Sequence, residues 1–270
     1  MVDAHVHIHE HFDLNRLFLI SVQNFRKVLN NFQIFYPFQS FLLLTESSGV
    51  NQFDRLKSLA GKEDDRYDFT LALTGEAETL KVTTGGGQEL YVVSGKQIVT
   101  SEKLEVLALG LDEDYPDGRP LTYVLEDLAD KSCLKVVPWG AGKWLGARGR
   151  IIETLVASWN GGPLFLGDNG NRPSFWSLPG VFDKAAAKNI CNLPGSDPLP
   201  FKEQEKKAGS SGFMVRGALD ENAPFAALKT MVVEAPQALT CFGSPEKPVP
   251  FFKNQVSMQI AKRRRSQPHH

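Results

Sequence analysis

Val2-Asp3-Ala4-His5-Val6-His7-Ile8-His9-Glu10-His11 opens the chain and carries four of its six histidines, one at every second position. In an extended strand alternate side chains point to opposite faces. Asp3, His5, His7 and His9 are therefore expected to share one face, and Val2, Ala4, Val6 and Ile8 the other. The apolar face suits a strand covered by helices. Imidazoles two residues apart, with a carboxylate beside them, suit one metal ion or two neighbouring ones. Glu10 and Phe12-Asp13-Leu14 read as the exit into a loop and helix, so His9 and His11 fall at the margin of the motif.

Outward from this strand, Leu14, Leu17, Phe18, Val22, Phe25, Val28 and Leu29 recur at helical spacing, and Phe38 to Glu46 reads as a buried strand with a polar end. Strand, helix, strand is the opening of an α/β sheet or barrel, and Glu46 at the strand's C-terminal end is a candidate contact. Between Asp68 and Leu111 short β-like runs alternate with Gly75, Gly85-Gly86-Gly87 and Gly95, the texture of inserted hairpins. The triple glycine lacks the Gly-Lys-Ser/Thr ending of a phosphate loop and reads as a turn.

A helix over 121–128 and a strand over 133–140 lead to a loop rich in glycine and bases, with Lys143, Arg148 and Arg150, before a helix over 151–159. Backbone N–H groups and cations converging in such a loop are suited to an anion. Two further strand-like runs, 163–167 and 190–195, are each followed by an aspartate, Asp168 and Asp197, where a βα barrel carries its chemistry. A short charged helix from Glu203, a strand near Phe213 and helical pieces at 225–228 and 254–260 complete the body.

A chain of 270 residues fits one large domain, here 1–260, followed by a basic tail over 261–270 expected to be disordered and solvated. A net charge of −1 argues against nucleic acid as the partner of the body, although the basic tail could contact it. Three dispersed cysteines and the absence of a long apolar run imply a cytoplasmic protein with no membrane association.

Asp3-Ala-His5-Val-His7, the run from Ser94 to Gly110, the strand into Pro138 and Gly195-Ser-Asp197 resemble, in order and spacing, the polymerase-and-histidinol-phosphatase (PHP) family. The resemblance spans roughly residues 2–215. It implies an α/β fold, a distorted (β/α) TIM-like barrel with an inserted β-hairpin region, divalent ions at the C-terminal ends of its strands, and phosphoester hydrolysis. The amidohydrolase barrels open with a similar His-x-His strand. The chain departs from the PHP pattern at Gln97, where the family has glutamate, and at Glu105, where it has histidine. Val137-Pro138 stands for His-Pro, and Asp197-Pro198-Leu199 for Asp-x-His. No histidine occurs between His11 and His269.

What carries over is His5, His7 and Asp197 as metal ligands, with Glu105 as an oxygen ligand in place of nitrogen and Asp168 as a further candidate. Asp3, Lys143 and Arg172 are the catalytic candidates, the two cations serving to neutralise a substrate's charge. The expected cofactor is a divalent metal ion, Mn, Mg, Fe or Zn, and the expected substrate a small phosphorylated molecule. Two functions remain open: a metal-dependent phosphoesterase with a reduced site, or a PHP-like barrel that has lost its metals and binds a ligand or partner protein without turnover.

Overall fold

The computed structural model describes residues 1–265, and of 261–265 the backbone alone. Twelve strands and seven α-helices follow one another as β1 (Val2–Val6), α1 (Leu14–Asn31), β2 (Phe41–Leu44), β3 (Glu46–Ser47), α2 (Gln52–Lys57), β4 (Phe69–Leu73), β5 (Thr79–Thr84), β6 (Glu89–Val93), β7 (Gly95–Val99), β8 (Glu105–Leu109), α3 (Leu121–Asp127), β9 (Leu134–Pro138), α4 (Ala147–Ser158), β10 (Phe165–Gly167), α5 (Val181–Ala186), β11 (Gly212–Met214), α6 (Pro224–Glu234), β12 (Thr240–Phe242) and α7 (Pro248–Arg265). Asp13 starts α1 by accepting a hydrogen bond from the Arg16 N–H, and the helix buries Leu14, Leu17, Phe18, Val22, Phe25 and Leu29 along one stripe.

The strands form two mixed sheets. One runs β12-β11-β1-β2-β6-β5-β4 and the other β10-β9-β8-β7-β3. Parallel pairing of β1, β2 and β6 places their C-terminal ends together, as does that of β9 with β10 and of β3 with β7. The hairpins expected between Asp68 and Leu111 are the antiparallel ladders β4–β5, β5–β6 and β7–β8.

Period-two alternation sorts the apolar side chains into three layers. Leu42, Leu44, Leu80, Val82, Leu90 and Val92 pack beneath α1 and α2. Val106, Ala108, Val137 and Leu166 pack beneath α3, α4 and α5. The intervening residues of the same strands, among them Phe41, Leu43, Tyr91, Val93, Leu107, Leu109, Val136 and Phe165, form a third cluster with Phe225, Leu228 and Val232 of α6. Both sheets thus contribute to one inner core.

Among the described residues no strand ring closes into a barrel. Thr45 separates β2 from β3, Ser94 separates β6 from β7, and the expected strand at 190–195 pairs with β10 only in isolated bridges, since the Asp168 N–H that would continue the ladder donates to Asn192 Oδ1 (2.8 Å). That segment instead bonds to both sheets: Leu166 N–H to Cys191 O at 3.0 Å and Leu193 N–H to Leu166 O at 2.8 Å on one side, Ala4 N–H to Pro194 O at 3.3 Å on the other.

Other expectations are corrected as well. Helix α4 begins at Ala147, so Arg148 and Arg150 belong to a helix and not to an open loop. The four apolar residues at the N-terminus do not share one face, since Val2 and Ala4 enter the inner core whereas Val6 and Ile8 pack beneath α1. A register shift between Asp3 and Val6 is the cause. Of the tail expected to be disordered, 261–265 continue α7 and 266–270 lie outside the described residues.

Candidate metal centre

The register shift in β1 decides what the N-terminal motif can do. Asp3, opposite Val2 and Ala4, turns toward α1. Its Oδ1 accepts from Ser196 N–H (2.8 Å) and His5 N–H (3.3 Å), its Oδ2 from Gly209 N–H (2.7 Å). Burial outweighs these bonds and pushes the carboxyl up to about 7. Asp3 therefore ties β1 to two distant loops, and its expected place beside the imidazoles is taken by Asp197.

Past the shift, His5 and His7 point together beyond the strand's C-terminal end. Their Nε2 atoms lie 3.2 Å apart. Asp197 Oδ1 stands 3.6 Å from His5 Nε2 and 3.7 Å from His7 Nε2. Asp197 is placed from behind: its N–H donates to His5 O (2.8 Å), and Asn169 Nδ2 donates to its Oδ2 (2.9 Å) and to Trp139 O (3.0 Å). At φ 47° Asp197 occupies the left-handed region, a conformation aspartate tolerates better than most residues. Gly195 is required nearby, because a side chain there would fall on the backbone nitrogen and Cβ of His5.

Electrostatics leave this trio ready to bind a cation. Burial, aided by the charge of His5, lowers His7 to about 3, so its ring is neutral with a lone pair available. Burial alone would raise Asp197, but the positive surroundings, which include Lys143, together with a side-chain hydrogen bond from Asn171 more than offset it and hold the carboxyl below its ordinary range. His5, His7 and Asp197 are the group, among the described residues, whose ligand atoms converge as metal ligands do, all within 4.8 Å of one another. The ligands of a tetrahedral ion with bonds of about 2.1 Å are about 3.4 Å apart. Separations of 3.2, 3.6 and 3.7 Å bracket that value, so the donor set fits a divalent ion. Three protein ligands leave a fourth position open.

The other sequence candidates have different partners. Glu105 accepts from Gln97 Nε2 (3.3 Å) and pairs with Lys143. Asp168 is held by Arg172 through Nε (2.9 Å) and Nη2 (3.0 Å), while Arg172 Nη1 donates to Trp176 O at 2.5 Å. Neither carboxylate joins the trio. Glu46 is buried between Lys96 Nζ (3.1 Å) and the Phe53 N–H (2.7 Å) at the start of α2. Arg148 donates to Gly142 O at 2.8 Å, and Arg150 lines a hollow between α3 and α4 with Leu121 and Glu126. His9 Nε2 donates to Pro198 O at 3.1 Å. Asn169 is the residue that sequence reading missed: it passes for a turn former in Asp168-Asn169-Gly170, and only the long-range contact with Asp197 reveals its part.

No family profile and no curated protein matches this chain. Among solved structures the chain is similar to PsfC from Pseudomonas syringae PB-5123, with a TM-score of 0.51, 13% identity, and coverage of 96% of this chain and 98% of that one. That likeness shows a shared fold. Weaker similarities reach the lesion-specific endonuclease PfuEndoQ from Pyrococcus furiosus (TM-score 0.49, 11% identity, 89% of this chain and 57% of that one). They also reach Endonuclease Q in complex with a 27-mer duplex substrate carrying an abasic lesion (0.48, 11%, 88% and 57%). Among the described residues no helix is long and apolar enough to cross a membrane.

Proposed function

We propose that this protein is a metal-dependent hydrolase of PHP type, a distorted barrel acting on a small phosphorylated molecule in the cytoplasm. The observation that carries the reading is the spacing of His5, His7 and Asp197, which is that of three ligands around one ion. The inner core shared by both sheets, and the bonds that 190–195 makes to each of them, support the barrel. A divalent ion bound there supplies Lewis acidity and lowers the pKa of a coordinated water. Mn²⁺, Fe²⁺ or Zn²⁺ suits two nitrogen ligands and one oxygen better than Mg²⁺ does.

The chain's own residues do the rest. Asn169 fixes the orientation of Asp197, and Asp3 fixes the strand that presents His5. Lys143, whose charge acts on both His7 and Asp197, supplies fixed positive charge toward the phosphoryl group. Arg172, locked onto Asp168, orders the loop after β10.

The test is elemental analysis of tag-free protein beside a His5→Ala/His7→Ala double variant, followed by a panel of phosphomonoesters and phosphodiesters. About one equivalent of metal in the wild type, its loss in the variant, and metal-dependent turnover are expected. Absence of metal even after incubation with divalent ions overturns the reading. A second reading, a barrel that binds a phosphorylated ligand without turnover, is favoured by one observation: Glu105 and Asp168 are each engaged by a cationic side chain. Metal binding without hydrolysis of any ester in the panel would select it.

A further inference from the structure

Asp197 is held by two asparagines, and a cation outside the trio decides how they face. Asn171, two residues beyond Asn169 in the loop after β10, donates from Nδ2 to Asp197 O at 2.7 Å, and its own N–H donates to Asn169 Oδ1 at 3.2 Å. On the other side of the Asn171 amide, Lys207 Nζ donates to Oδ1 at 2.6 Å and pairs with Glu246. These two charged side chains are mostly buried, at 21% and 14% exposure. Both are anchored through the backbone. The short 3-10 helix Gln204–Lys207 is pinned to α1 by Asn24 Nδ2, which donates to Lys206 O (3.0 Å) and Ala208 O (2.8 Å). Glu246 N–H donates to Arg172 O (2.7 Å), and Glu246 O accepts from Ser174 N–H (2.8 Å).

We propose that Lys207 is a positioning residue for the metal ligand Asp197, acting through the Asn171 amide, with Glu246 holding the ammonium in place. This rests on the metal-dependent reading above and deepens it. An ammonium has donors only, so the Asn171 oxygen must face Lys207 and the amide nitrogen must face Asp197. With Lys207 gone, the amide is free to turn over and set its oxygen against the Asp197 carbonyl, two acceptors face to face. Asn169 is drawn in as well. The Asn171 N–H occupies Asn169 Oδ1, so Asn169 Nδ2 is the atom left for Asp197 Oδ2 and Trp139 O. A displaced Asn171 therefore loosens both the backbone and the carboxylate of Asp197, the ligand that the N-terminal histidine run does not supply.

The experiment strips the protein with chelator and titrates Mn²⁺ into it by calorimetry, with thermal melts to verify folding. The proteins compared are the wild type, Lys207→Met, Lys207→Arg, Asn171→Ala and Lys207→Met/Asn171→Ala, with Lys206→Met, whose partner is Glu203, as the control for charge loss in the same turn. Lys207→Met and Asn171→Ala are each expected to weaken Mn²⁺ binding about tenfold, and the double variant to lose no more than Asn171→Ala alone. Lys207→Arg and Lys206→Met are expected to stay within about twofold of the wild type. Removing a nearby positive charge by itself favours a cation, so weaker binding in Lys207→Met reports position and not charge. Unchanged affinity in Lys207→Met, an equal loss in Lys206→Met, or losses that multiply in the double variant overturns the inference and leaves the hydrolase reading standing. Should Lys207→Met fail to fold, unchanged affinity in Asn171→Ala overturns it. No Mn²⁺ binding by the wild type overturns both.

Discussion

Asp3 shows how one residue can belong to a motif and serve a different purpose. Its carboxyl, pushed up to about 7 by burial, stays protonated in the folded protein while the unfolded chain ionises from about pH 4. The folded state then binds the extra proton, so stability falls as pH rises from about 4 to about 7, at roughly 1.4 kcal/mol per unit at the steepest. Asp3→Asn turns an amide donor toward the Ser196 or Gly209 N–H and is expected to cost about 1–3 kcal/mol at pH 4 to 5. That deficit narrows toward pH 7, because the variant lacks the ionisation penalty. Urea denaturation at a series of pH values measures the gap, and a gap independent of pH would contradict the account. Gly195 presents the complementary case. A methyl group there collides with His5, so Gly195→Ala is expected to lose about 1–3 kcal/mol and to weaken Mn²⁺ binding about tenfold or more, read by calorimetry.

At the scale of elements, the start of α6 is held by a side chain 149 positions away. The Glu76 carboxylate accepts from the Phe225 N–H (2.8 Å) and the Ala226 N–H (2.7 Å), satisfying two of the donors a helix leaves open at its N-terminus. Helix α6 sends Phe225, Leu228 and Val232 into the inner core. Glu76→Ala is expected to lower stability by about 1–2 kcal/mol, visible as a lower thermal midpoint, while leaving metal affinity unchanged because the groups its carboxylate binds, Thr79 and the start of α6, are not among the candidate ligands.

Elements such as α1 and the strands from β4 to β8 were legible in the sequence because their own periodicity defines them. Helices α2 and α5, six residues each, and the three-residue β12 were not, since so short a run carries too little pattern. His5 and His7 were readable as candidate ligands from their alternation in a strand, and Asp197 joined them through the resemblance; the structure brings the three together. The partners of Glu105 and Asp168 were not: which carboxylate a lysine reaches across 38 positions depends on the packed fold, and the register shift in β1 leaves no local mark.

Across the whole molecule the candidate ligands come from distant parts of the chain; Asp3 and Ser196, neighbours of the centre, are 193 positions apart and hydrogen-bonded. A ligand that binds only the folded state stabilises it by about 2.7 kcal/mol at a hundred times its dissociation constant. Excess Mn²⁺ is therefore expected to raise the thermal midpoint of the wild type and not that of His5→Ala/His7→Ala. The segment 190–197 bonds to β10 on one side and to β1 on the other, so the centre is complete only once both sheets have met across it. An ion captured there arrives too late to guide the chain and acts as a clasp, slowing the opening of the molecule while leaving the speed of its assembly untouched.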